Sequence, residues 1–142
     1  MILKKKVFAI VPAKHKSYEL KNKNYLKLNK KSLFELAIMS GLKSKYVDEV
    51  IVSSDSNYIL KKSEKLGATR IKRPKKLSLK KTTAYEVILH SIKMIKKNYN
   101  KDFFIVYLQP TSPFRNHNHI NKAFKLLKKN KIKSVTSIKR SL

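Results

Sequence analysis

No cysteine occurs among the 142 residues. That excludes disulfides, cysteine-ligated zinc and thiol catalysis, and it fits a reducing cytosol. Glycine occurs only twice. There is no internal repeat, no linker and no low-complexity tract beyond an excess of lysine. Long apolar runs are missing as well. The run at 7–11 is too short for a signal-peptide core and is ended by Pro12. Nothing approaches the ~20 apolar residues of a membrane helix. Acidic residues are scarce: 8, against 35 Lys plus Arg, for a formal net charge of +27. The only aspartates are Asp48, Asp55 and Asp102, far apart in the sequence.

What is present suits one domain spanning 1–142. Apolar residues make up 42% of the chain, and a domain of this length buries roughly 68–70% of its unfolded surface. The charge suggests a nucleic-acid binder, but the lysines are spread through every segment. Arginine, the usual base reader, stands only at 70, 73, 115 and 140. Abundant Lys, Asn and Ile with few Gly is also what an AT-rich genome produces. Such a surface binds polyanions weakly and with strong salt dependence. No specific nucleic-acid partner is expected.

Residues 7–11 read as a strand buried on both faces. The stretch 12–24 is polar and without period, and 25–28 is a short extended piece. Ser32 with Glu35 makes a capping box for a helix that turns Leu33, Leu36, Ala37, Ser40 and Gly41 inward. A second strand is expected at 50–53. A helix follows at 57–66, ended by Gly67. A short strand at 69–72 stops at Pro74, and 75–81 is a basic loop. Thr82 or Thr83 opens a helix with Val87, Ile88, Ser91, Ile92 and Ile95 inward. Residues 103–108 are the most hydrophobic strand and are expected at the sheet centre. A helix at 116–130 and a last strand at 134–138 complete the pattern. Strands alternating with helices predict a parallel α/β sheet covered on both faces.

In such sheets ligands bind at the carboxyl ends of the strands. Three loops leave those ends, at 12–24, 53–57 and 109–116. The first is rich in cations and small donors, including Lys14, Ser17, Lys23 and Asn24, which suits wrapping a phosphate chain. A solvated lysine-rich loop gives the same pattern. The third, Gln109-Pro-Thr-Ser-Pro-Phe-Arg115, is stiffened by two prolines. It presents a carboxamide with the donor and acceptor that a nucleobase edge requires. A rigid turn into a helix is the alternative. Arg73 before Pro74 is held extended and offers a guanidinium. Asp55 follows a strand end but stands alone, and reads as structural. The four histidines, at 15, 90, 117 and 119, form no ligand pattern.

Taken in order, Val11-Pro-Ala-Lys14, Ser17, Lys23-Asn24, Val52-Ser-Ser-Asp55, Arg73-Pro74 and Leu108-Gln-Pro-Thr-Ser-Pro-Phe-Arg115 resemble the motifs of acylneuraminate cytidylyltransferases and related CMP-sugar-acid synthetases. The resemblance runs from about residue 7 to 138. It implies a Rossmann-like three-layer α/β/α fold with a mostly parallel sheet, of nucleotide-diphospho-sugar transferase type. It also implies a cytidylyltransferase that joins CTP to a nine-carbon sugar acid, with Mg²⁺ as the metal. Carried over by residue, Lys14 meets the CTP phosphates and Ser17 lines the phosphate loop. Lys23 contacts phosphate and the transition state, and Asn24 holds the nucleotide. Arg73 and Gln109 read the cytosine or its surroundings.

Lys14 stands where the family has arginine, and Tyr18-Glu19 where it usually has Lys-Gly. The family chain continues past the point matching Leu142 into sugar-binding and dimer-forming segments. A C-terminally truncated domain is therefore expected, with its acceptor site, metal ligands and any homodimer contact supplied from elsewhere. A nucleotide-binding remnant without turnover shares every one of these features.

Overall fold

The computed structural model of the chain describes residues 5–15, 27–28, 30–136 and 138. Strand β1 is Lys6–Pro12, and a short pair, β2 at Lys27–Leu28 and β3 at Lys31–Ser32, leads into helix α1, Leu33–Lys43. Strand β4 is Glu49–Ser54, α2 is Asn57–Leu66 and β5 is Thr69–Lys72. A single 3-10 turn, Lys75–Leu77, precedes α3 at Ala84–Lys96. Strand β6, Phe103–Tyr107, and α4, His117–Asn130, follow.

The main sheet has the order β5-β4-β1-β6, and every pairing within it is parallel. Alternation along the strands sends side chains to two layers. Val7, Ala9 and Val11 of β1 and Val50 and Val52 of β4 pack with Phe34, Ile38, Ile59, Leu60, Ile120 and Phe124 of α1, α2 and α4. Phe8, Ile10, Ile51 and Ile71 face the other way, against Ile95 of α3. Phe34, Ile38, Ile59 and Leu60 are essentially closed to solvent. Each such side chain contributes about 1.5–3 kcal/mol relative to exposure. This is the expected three-layer arrangement with a mostly parallel sheet.

Gly67 ends α2 with φ 104°, a left-handed geometry that glycine adopts without strain. Thr83 caps α3 in a reciprocal box with Glu86.

Four expectations are corrected. Strand β6 is not central: among the described residues it is an edge strand, and all five of its residues are only half-buried. Its hydrophobicity reports two apolar faces and does not report how many neighbours it has. No strand forms at 134–136 or at 138, because a strand needs a partner and the described residues offer it none. The Ser32–Glu35 box is absent. The Ser32 hydroxyl donates to Glu35 Oε1 at 2.8 Å, so it caps no backbone N–H. Helix α1 buries Ala37, Ser40 and Gly41 as expected, but Phe34 and Ile38 complete that face while Leu33 and Leu36 are only half-buried. Of the extended piece expected at 25–28, Tyr25 and Leu26 lie outside the described residues.

Candidate functional site

The four parallel strands end at nearly one level, and backbone bonds tie their exits together. The Ala13 N–H donates to Ser53 O at 2.9 Å and the Arg73 N–H to Ser54 O at 2.7 Å. The Leu108 N–H donates to Ile10 O at 2.9 Å. Chain leaving β1, β4, β5 and β6 is therefore gathered at the carboxyl edge of the sheet. There a cleft opens between the β1 exit, the N-terminus of α3 and the β6 exit. Pro12, Lys14, Arg73, Gln109, Pro110 and Thr111 line it from the sheet side, and Thr82, Thr83, Ala84 and Val87 from α3.

Three predicted site residues, Lys14, Arg73 and Gln109, thus meet in one cleft although 95 positions separate the first from the last. Ser17, Lys23 and Asn24 lie outside the described residues.

Arg73 is 3% exposed. Its Nε donates to Ser53 Oγ at 3.2 Å, Nη2 to Ser53 O at 2.9 Å and Nη1 to Leu77 O at 3.3 Å. The guanidinium thus clamps the end of β4 to the 3-10 turn and offers the cleft only what remains. Burial lowers its pKa, while the Asp55 carboxylate opposes that shift. It remains a cation.

Gln109 is exposed, and its carboxamide lies near the Tyr107 phenol. Burial raises the Tyr107 pKa. Arg73 and Gln109 pull it back only in part, so the phenol keeps its proton at neutral pH. The Asp55 carboxylate accepts from the His15 N–H at 2.8 Å and so pins the β1 exit to the β4 exit. This is the structural role expected for it. Asp48 does similar work at the far end of the sheet, accepting from the Val7 N–H at 2.7 Å.

Sequence reasoning did not assign the α3 entrance to the site. The signal was present in Thr82-Thr83-Ala84-Tyr-Glu86, a helix start after a basic loop. Its meeting with the β6 exit follows from topology alone.

No carboxylate lines the described cleft, and no group of three His, Asp or Glu suited to a metal occurs among the described residues. The described residues therefore do not fit a Mg²⁺ ion held by side chains alone.

Strand order, parallel pairing and a cleft at the carboxyl edge define an open α/β protein whose cleft lies where such sheets usually bind ligands. The chain belongs to the cytidylyltransferase family, whose model matches residues 8–142. It is 36% identical over 140 residues to the N-acylneuraminate cytidylyltransferase of Escherichia coli O18:K1:H7, covering 98% of this chain and 32% of that protein. It is 32% identical over 127 residues to the CMP-N,N'-diacetyllegionaminic acid synthase of Legionella pneumophila, covering 87% of this chain and 53% of that one. Among solved structures, CMP:2-keto-3-deoxy-manno-octonic acid synthetase complexed with CTP superposes with a TM-score of 0.71 at 16% identity. That match covers 89% of this chain and 48% of that one, and it supports the fold. The chain thus spans about a third to a half of these proteins' length. No helix among the described residues is long and apolar enough to cross a membrane.

Proposed function

We propose that this chain forms the CTP-binding part of a cytidylyltransferase that activates a nine-carbon sugar acid of the N-acylneuraminate or legionaminate type. The observation that carries this reading is the convergence of Lys14, Arg73 and Gln109 from three separate strand exits into one cleft. In the reaction a hydroxyl oxygen of the sugar acid attacks the α-phosphorus of CTP. The bond to the β-phosphate oxygen breaks, pyrophosphate leaves, and the hydroxyl proton is lost.

Lys14 sits half-buried at the β1 exit, where a positive charge favours a phosphate chain. The Gln109 carboxamide supplies one donor and one acceptor to a base edge. Arg73 stiffens the floor beneath it and adds positive potential. Ser17, Lys23 and Asn24 are assigned by the family motif to the same loop as Lys14, with Lys23 next to the reacting phosphate. Mg²⁺ supplies charge neutralisation to phosphates in such chemistry. No carboxylate among the described residues of the cleft would hold it.

Gln109→Ala tests the assignment. The residue is exposed, so the substitution should change stability by no more than about 0.5 kcal/mol and leave the melting point nearly unchanged. CTP affinity measured by calorimetry should fall about tenfold or more, as loss of a base-reading contact of about 1–3 kcal/mol requires. If the variant unfolds, or binds CTP like the parent, Gln109 does not read the base.

A further inference from the structure

The loop that carries Gln109 is closed on itself by one carbonyl. The Gln109 oxygen accepts from the Ser112 N–H at 3.2 Å and from Arg115 Nη2 at 2.9 Å. The Arg115 N–H in turn donates to Ser112 O at 3.2 Å. Pro110 and Pro113 fix their own φ angles and contribute no N–H, so these few bonds hold the turn.

Arg115 is an unusual choice for that task. Its Nε is buried and has no partner among the described residues. Burial lowers its pKa, and no carboxylate counters the shift. Four ion pairs are formed among the described residues, and Arg115 is in none of them. A half-buried guanidinium without a counter-ion is costly. What it gains in this structure is a charge-assisted bond to the Gln109 backbone.

We infer that Arg115 is a positioning residue, whose guanidinium holds the Gln109 carbonyl and so fixes the angle at which the Gln109 carboxamide enters the cleft. The loop-fixing half of this stands on the hydrogen bonds alone. Its effect on ligand rests on the CTP reading above.

Two measurements on Arg115→Met, which keeps most of the apolar stem, separate the halves. Amide hydrogen exchange without ligand should quicken at Ser112 about tenfold or more, with the amides of β6 and α4 unchanged. Unchanged exchange at Ser112 would overturn the inference, and so would exchange that quickens across all three elements. CTP titration is then run on a double-mutant cycle with Gln109→Ala. Arg115→Met should weaken CTP severalfold in the parent and have almost no effect once Gln109 is alanine. Additive losses would mean that Arg115 acts on ligand by itself, against the inference. If the parent binds no CTP, the nucleotide reading fails, and the exchange result still decides the loop. Should Arg115→Met not fold, Arg115→Lys takes its place. A lysine lacks the planar fork and should leave Ser112 only partly protected.

Discussion

Arg73 shows how one side chain acts on structure before it acts on ligand. Its three side-chain hydrogen bonds run to the protein's own Ser53 and Leu77. A hydrogen bond involving a charged group contributes about 1.5–3 kcal/mol. Arg73→Met should therefore lower unfolding free energy by roughly 2–3 kcal/mol in a denaturant titration. A variant as stable as the parent that loses only nucleotide binding would make Arg73 a ligand contact instead.

His90 and Glu35 set an acid limit at the same scale. Burial lowers the His90 pKa from its ordinary 6.5, and the nearby Arg73, Lys93, Lys97 and Lys76 push it the same way. A depressed pKa in the fold contributes stability that is complete above the unfolded value and drains away as pH falls below it. Glu35 repeats this lower down. Burial raises its pKa, but the bonds from Ser32 and Lys62 together outweigh that and leave it below 4.5. The melting point should thus begin to fall below about pH 6.5 and fall further below about 4.5. His90→Phe should remove the upper part of that slope, and a slope unchanged in this variant would assign it to other groups.

Among the elements, those set by local chemistry were legible in the sequence. Helix α2 and its glycine stop, β5, and the threonine start of α3 fall where pattern and capping rules put them. Helix α1 turns Ala37, Ser40 and Gly41 inward as the pattern puts them, but it buries Phe34 and Ile38 more deeply than Leu33 and Leu36, and the reason is visible. Its segment Leu33-Phe-Glu-Leu-Ala-Ile-Met39 is apolar on nearly every side, so two phases fit equally well. Tertiary contact decides between them. Gly41 sits where an added Cβ would lie 2.8 Å from Val50 Cγ2 and 3.2 Å from Leu108 Cδ1. The helix rests on the sheet there because glycine leaves room. Gly41→Ala gains up to about 1 kcal/mol of helix propensity. It also forces a clash with a stiff β-branched neighbour, and overpacking costs about 1–3 kcal/mol. The clash should win, giving a net loss of stability in thermal or chemical unfolding. A more stable variant would show that α1 rides higher than described. The edge position of β6 and the lack of a strand at 134–136 among the described residues escaped the sequence for a related reason. Strand neighbours are long-range facts, and local hydrophobicity carries no record of them.

At the scale of the whole molecule, the sequence placed Lys14, Arg73 and Gln109 at strand exits, and the parallel sheet brings those exits together. What the sequence did not disclose is how far Arg73 is committed to architecture and how α3 closes the cleft. Both depend on the level at which neighbouring strands end. The formal charge of +27 adds a second, unspecific attraction for any polyanion, so affinity for a triphosphate alone decides nothing. Selectivity for the base does.

The most direct measurement is therefore thermal stabilisation by CTP with Mg²⁺ at moderate salt, set against ATP, GTP, UTP and pyrophosphate. A ligand that binds only the folded state adds RT ln(1 + [L]/Kd), about 2.7 kcal/mol at a hundredfold excess over Kd. A formed cytidine site predicts a shift with CTP that clearly exceeds those with the other four. Equal shifts with every triphosphate and with pyrophosphate would mean that only the basic surface binds, and would contradict the site built from Lys14, Arg73 and Gln109.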